Sequence, residues 1–521
     1  MTDMDPTTLN RALDGLPVRF PGPGGVAGVV KDGRIVAARA WGYADLDNAI
    51  QMGVTARLPI CSISKQFTCQ VLLAEFDDPG RLDDRIGQYL PDFAEPLPTT
   101  RQLCDNQSGL RDYWALTVLH GAKAEQPFRR ADALPLIARM RTGHFAPGSE
   151  YSYCNANFRI LSELIETETD TPLETLYRRH IWDPAEMATA VLSPDTGQTV
   201  DQVIGYEGNA AVGHFPARNG IYWIGDAGIV ASLNDMLAYE IWIDRTRDDA
   251  QSLYRRAATQ PFFADGTPAL YGYGLARETI AGLDFTGHGG ALRGFRAHRL
   301  NSREARLSVV VIFNHEADAH GAAIALAEAA LGRDEAPAPA ITGRWTGQWL
   351  APNGLLARVQ QHRQTAYLRY ATGPDALHQS DADRLSGPAV TLDHDDDHLI
   401  MTRAKDNSRM VLAPLATVDT ADPARIAGRY ASDETGAEIE IMAGDGGCYC
   451  RFHGMLGSGA VERMAPVGPD VWTVATRRSM DAPAPGDWTA VFQSDADGRV
   501  TGLRLGCWLA RDISYRRVQP T

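Results

Sequence analysis

The sequence predicts an α+β fold: an antiparallel sheet flanked by helices, with a helical subdomain, followed by two small antiparallel β-barrels. Three observations predict it. Strand-like patterning opens the chain, helical spacing fills the middle, and strands return between Tyr271 and Phe313, an order that suits one antiparallel sheet covered by helices. Ala336-Pro337-Ala338-Pro339-Ala340 then forms a short, stiff linker. Beyond it, short alternating segments separated by turn residues read as all-β. Within that half a repeat is visible: Ile341-Thr342-Gly343-Arg344-Trp345 returns as Ile426-Ala427-Gly428-Arg429-Tyr430. Closing each copy into a barrel removes the edges such short strands expose. The expected domains are 1–335, 336–416 and 417–521, in keeping with a length of 521 residues, too long for one core.

Val26 to Val30 and Ile35 to Ala37 flank Lys31-Asp32-Gly33-Arg34, the signature of a hairpin with an Asp-Gly turn. From Ser62 to Phe76 apolar residues recur at helical spacing, with Phe67, Val71, Leu72 and Ala74 facing inward. Asp78-Pro79-Gly80 stops that helix. Ala131 to Met140 and Ala156 to Glu168 are further helices, and Leu307 to Phe313 is a buried strand. An alanine-rich helix, Gly321 to Leu331, closes the first domain.

Composition narrows the function. A net charge of −15 argues against nucleic acid and anionic membranes, whose binding rests on clustered Lys and Arg. No apolar run approaches membrane-spanning length, and Met1 to Pro6 has neither a basic nor an apolar leader region, so a cytoplasmic location is expected. The seven cysteines are odd in number and too sparse for a disulfide scaffold. Cys448 and Cys450 alternate on a strand, as two small core thiols do.

Ser62-Ile63-Ser64-Lys65 sets a hydroxyl and an amine three residues apart, one helical turn along the same face. A partly desolvated lysine there can deprotonate the serine and make it acylatable. Tyr153-Cys154-Asn155 follows, and His288-Gly289-Gly290 comes later. This ordered set, with Leu58-Pro59-Ile60-Cys61 before the serine and Ser108-Gly109-Leu110 between the motifs, resembles the penicillin-recognising serine hydrolases. That superfamily includes class C β-lactamases, D,D-carboxypeptidases, esterases and D-aminopeptidases. The two barrels make the D-aminopeptidase branch the nearest resemblance.

The resemblance implies an acyl-enzyme. Ser62 is the nucleophile and Lys65 its partner, while Tyr153 exchanges protons with Ser62 and the leaving group, its pKa lowered by Lys65. Asn155 is expected to bind the substrate amide. Gly289 and Gly290 offer a bare strand to the substrate backbone, and the main-chain N–H groups of Ser62 and Ala291 form the oxyanion hole. His288 departs from the lysine many relatives carry there. A mostly neutral imidazole anchors a carboxylate poorly, which argues against reading a free C-terminus. An aminopeptidase also needs an acceptor for the substrate ammonium, and the candidates are Asp226 and Asp481. Asp481 lies in the proline-stiffened connector Thr476 to Pro485, expected to reach the cleft from the last barrel.

The expected reaction is release of N-terminal D-residues from peptides, amides or esters, without metal or organic cofactor, with β-lactams as inhibitors and a homodimer allowed. Esterase, β-lactamase and D,D-carboxypeptidase activities are the alternatives on the same scaffold, and a peptide-binding sensor is the non-enzymatic one. Other apparent sites dissolve. Asp393-His394-Asp395-Asp396-Asp397-His398 reads as a solvated hairpin tip, and Gly22-Pro23-Gly24-Gly25 lacks the ending of a phosphate loop.

Overall fold

The computed structural model describes residues 6–198, 200–332, 341–342, 345–418, 420–444, 446–476, 479–482 and 486–518. The predicted linker Ala336–Ala340, and Gly343 and Arg344 of the repeat, lie outside them.

The first sheet is built from eight antiparallel strands: β1 (Gly24–Lys31), β2 (Arg34–Asp45), β3 (Ile50–Gln51), β4 (Tyr271–Gly272), β5 (Leu275–Ile280), β6 (Leu283–Leu292), β7 (Phe295–Ser302) and β8 (Leu307–Phe313). Their order is β3-β2-β1-β8-β7-β6-β5-β4, so the opening hairpin pairs with the last strand, Val26 opposite Ile312. Asp32 and Gly33 turn that hairpin with φ of 52° and 71°, which matches the right-handed twist of the strands they join. The two-residue period decides what each face meets. On β8, Leu307, Val309, Val311 and Phe313 pack under α1 (Pro6–Arg19) and the helix Ala319–Leu331 that follows β8, while Val310 and Ile312 face the larger core.

Between β3 and β4 lies the helical subdomain. Its central helix, α2 (Ser64–Glu75), is buried continuously from Ser64 to Leu73, so it carries no solvent face. Next to it run α3 (Asn155–Thr169) and α4 (Leu233–Arg245). Arg299 of β7 clamps α4 to the sheet: its Nε and Nη2 donate to Glu240 at 2.6 and 2.9 Å, and neither side chain is exposed. The remaining guanidinium nitrogen reaches Gln66 and Tyr254 at 2.9 Å. Replacing Arg299 with alanine strands the Glu240 charge, so urea unfolding is expected to show a loss of about 3–5 kcal/mol.

The rest of the described chain forms two barrels, as the sequence predicts. The first closes eight strands, from Gly347–Leu350 to Ser408–Pro414, with Trp349 opposite Pro414. In the second, Gly428–Ala431 pairs with both Glu438–Gly444 and the final strand Ala510–Val518, and pairing of Glu438–Gly444 with Gly447–Gly454 completes the ring. The repeat has a physical basis. Trp345 and Tyr430 are both buried, and each donates to a carbonyl upstream, Thr342 at 3.2 Å and Ile426 at 2.7 Å. Cys448 and Cys450 sit buried on one strand, and Asp396-Asp397 forms the exposed turn expected of it. No described helix is long and apolar enough to cross a membrane.

Candidate active site

The nucleophile candidate stands on a bend. Cys61 holds a left-handed φ of 52°, uncommon for a residue with a side chain, and Cys61–Ile63 make one 3-10 turn before α2 begins. Ile63, not Ser62, occupies the N-cap of α2, so the Ser62 hydroxyl is not spent on capping. The strand segment opposite must come close. A Cβ on Gly290 would lie 2.4 Å from the Ile60 carbonyl oxygen, so only glycine fits there.

Lys65 Nζ lies 2.9 Å from Ser62 Oγ, 2.7 Å from Asn155 Oδ1 and 2.6 Å from the backbone oxygen of Asp226. The last two atoms only accept, so they claim two of the three amine directions. The third faces Ser62, as N–H when the amine is charged and as lone pair when it is neutral. Burial lowers the Lys65 pKa to about 8, opposed by the charges of Asp226, Asp112 and Asp481.

Asn155, at the start of α3, is held in turn. Its Nδ2 and backbone N–H donate to Asp112 Oδ2 at 2.8 and 2.6 Å, while Asp112 Oδ1 caps the helix Tyr113–Leu119. In this arrangement the Asn155 amide oxygen accepts from Lys65 and its nitrogen donates to Asp112. Burial and the nearby Asp481 push the Asp112 carboxyl up to about 7. Sequence reasoning missed Asp112, which reads only as an ordinary N-cap after Ser108-Gly109-Leu110.

Tyr153 lines the same cavity as Ser62, and the serine side chain is near enough to favour the ionised phenol. Its pKa is not lowered as the resemblance implies. Burial pushes it well above the usual phenol value, and Lys65 Nζ lies over the ring face, 5.0 Å from its centre, rather than at the hydroxyl. At rest the Tyr153 phenol is neutral.

His288 is also neutral. Its Nδ1–H donates to the Gly289 carbonyl, leaving Nε2 to accept from the Tyr271 hydroxyl at 2.9 Å, and burial beside Lys65 holds its pKa well below the usual value. Strand β5 covers the outer edge of β6 only as far as Gly287, so His288 to Ala291 present an edge free of strand pairing towards Ser62.

The two acidic candidates part company. Asp226 is fully buried: Tyr113 donates to its Oδ2 at 2.9 Å, and its place is behind Lys65, away from the cavity wall. Its backbone oxygen, not its carboxylate, serves the site. Asp481 does line the cavity. Ser479 donates to its Oδ1 at 2.7 Å, the backbone N–H of Arg293 donates to its carbonyl at 2.9 Å, and burial raises its carboxyl pKa.

The cavity encloses about 740 Å³ and takes walls from all three domains: Ser62, Tyr153, Asn155 and His288 to Ala291 from the first, Arg403 and Lys405 from the first barrel, Asp481 and Trp508 from the second. Arg403 and Lys405 were not foreseen, because their segment reads as a plain hairpin turn. Cys61 and Cys154 are both fully buried packing residues, with the Cys61 thiol pushed up to about 12. Among the described residues, Glu278, His298 and His320 group metal-ligand types, with donor atoms within 4.8 Å of one another.

The family model described as "Beta-lactamase" matches residues 13–333, and "D-aminopeptidase, domain B" matches residues 339–516. The D-aminopeptidase of Cereibacter sphaeroides is 60% identical over 516 residues, covering 99% of this chain and 100% of that protein. The D-aminopeptidase of Brucella ovis is 45% identical over 525 residues, with the same coverage of 99% and 100%. Among solved structures, the octameric penicillin-binding protein homologue from Pyrococcus abyssi superposes with a TM-score of 0.56 at 18% identity, over 78% of this chain and 100% of that one. The D-amino acid amidase of Ochrobactrum anthropi, complexed with D-phenylalanine, gives 0.52 at 20% identity, over 63% and 98%. Both likenesses bear on fold alone.

Proposed function

The chain belongs to the beta-lactamase family and, along its whole length, to the D-aminopeptidase family, and we propose that it is a serine hydrolase releasing N-terminal D-residues through an acyl-enzyme. Neutral Lys65 takes the Ser62 proton as Oγ attacks the carbonyl carbon. The developing oxyanion turns towards the backbone N–H groups of Ser62 and Ala291. Tyr153 then gives its proton to the departing nitrogen as the C–N bond breaks, and the proton held by Lys65 returns to the phenol through water in the cavity, since Nζ lies over the ring and not at the hydroxyl. Water attacks the ester by the reverse relay and frees Ser62.

A neutral phenol with a raised pKa suits the donor role better than the base role, so the base is Lys65. The observation that carries the aminopeptidase reading is Asp481, an acceptor from the second barrel set in the same cavity as Ser62. It matches a substrate ammonium, and a hydrogen bond between charged groups is worth roughly 1.5–3 kcal/mol. His288, uncharged, favours this over a carboxypeptidase built around that position.

Purified protein assayed on D-alaninamide, L-alaninamide, N-acetyl-D-alaninamide and a β-lactam tests the reading. Turnover is expected for D-alaninamide, with at least about tenfold lower kcat/KM for the L and the acetylated compounds. The β-lactam is expected to acylate Ser62 and inhibit. Equal turnover of the acetylated compound points instead to an esterase or amidase blind to the amine.

A further inference from the structure

We propose that Lys405 binds the free carboxylate of the departing residue, so that the preferred substrate is a dipeptide with a D-residue first and a free C-terminus. This deepens the aminopeptidase reading and rests on it.

Lys405 sits on the turn between the last two strands of the first barrel, and that turn is fastened into the catalytic domain. The Asp406 carbonyl accepts from the Tyr151 N–H at 3.2 Å, and Asn407 Nδ2 donates to the Ser149 carbonyl at 3.0 Å and Asp265 Oδ2 at 3.1 Å. Trp508 of the second barrel donates to Asp406 Oδ2 at 3.1 Å. The segment so gripped runs straight into Tyr153. Lys405 is thus held half-buried on the cavity wall, its Nζ 5.1 Å from the centre of the Tyr151 ring.

The three acids that act most strongly on Lys405 each have a cation of their own. Asp406 and Asp375 are paired with Arg403 at 2.6 and 2.7 Å, and Glu278 with His320 at 2.9 Å. Arg296, also on the wall, is paired with Glu316 at 3.3 Å. Among the described residues Lys405 makes neither an ion pair nor a hydrogen bond. An ammonium withdrawn from water without a counterion is costly, and the Lys405 pKa is lowered by that burial. A site like this fits an anion brought by the ligand.

Asp481 and Lys405 line the same cavity as Ser62, one from the second barrel and one from the first, and among the described residues neither makes an ion pair. The Asp481 charge bears on Lys65 and Cys61, and that of Lys405 on His288 and His320. A zwitterion laid between them puts its ammonium on Asp481 and its carboxylate beyond His288, where the leaving residue goes. His288, being neutral, leaves that task to Lys405. The same cation argues against a metal at Glu278, His298 and His320: its charge repels an ion there, and Glu278 is already engaged by His320.

The test compares kcat/KM for D-alanyl-glycine with that for D-alanyl-glycine amide, in the full-length protein and in Lys405→Met and Lys405→Arg. The wild type is expected to favour the free acid roughly ten- to a hundredfold. In Lys405→Met the ratio should fall to near one, and Lys405→Arg should keep most of it. Lys405→Gln gives the same readout if the methionine variant does not fold. A wild-type ratio near one, or a preference surviving in the methionine or glutamine variant, overturns the carboxylate site alone. Cleavage of neither compound overturns the aminopeptidase reading, and this proposal with it.

Discussion

Ser62→Ala and Lys65→Met are each expected to lower kcat on D-alaninamide by about a thousandfold or more, with the unfolding transition retained. The size follows from roles that cannot be shared. Without Oγ no ester forms, and without the amine the hydroxyl has no base at 2.9 Å. Proton transfer by one placed group is worth roughly 10²–10⁴-fold. Tyr153 does not take over, because its phenol is held well above the range in which it ionises near neutrality. Methionine is chosen because Lys65 is buried, and an apolar side chain of similar length fills the space without stranding a charge. Neutral Lys65 is the competent form, so kcat/KM in the wild type rises with pH through about 8, the value burial sets. A flat profile between pH 6 and 9, or near-full activity in Lys65→Met, rules the scheme out.

If Asp481 holds the substrate ammonium as proposed, Asp481→Asn is expected to lower kcat/KM on D-alaninamide roughly ten- to a hundredfold. The gap between D-alaninamide and its N-acetyl analogue should shrink at the same time, which a merely structural role does not bring about. A second effect follows in the pH profile. The Asp481 charge raises the Lys65 pKa, so its loss moves the rising limb to lower pH. Steady-state kinetics on both compounds across pH 6 to 10 read out both effects. An unchanged gap and an unmoved limb together remove Asp481 from the site.

What was legible in the chain was whatever chemistry confines to short spacings. Ser62 and Lys65 are three residues apart and the structure sets Nζ 2.9 Å from Oγ, and His288-Gly289-Gly290 spells a strand edge that approaches the serine. The barrels were legible through alternation and through the repeat, whose aromatic residues do the same plugging in each copy. What stayed hidden depends on tertiary placement. Asp226 was singled out for its carboxylate, yet it serves through a backbone oxygen that any residue has. Asp112 looks like an ordinary cap, and Lys405 like an ordinary turn residue, until the barrel is docked. The phenol of Tyr153 was expected to be acidic because a lysine is near. Nearness says nothing about whether the ammonium meets the oxygen or the ring.

The second barrel also reaches the chemistry through the main chain. The N–H of Asp112 donates to the Leu509 carbonyl at 2.9 Å, and the neighbouring Arg111 holds Glu434 at 2.5 Å and the Arg511 carbonyl at 3.1 Å. From Asp112 the line of support runs to Asn155 and on to the amine beside the serine. The barrel is a buttress as well as a wall of the cavity. Heating that loosens this barrel is expected to displace the amine first, so activity should fall at a lower temperature than the unfolding of the eight-stranded sheet read by circular dichroism.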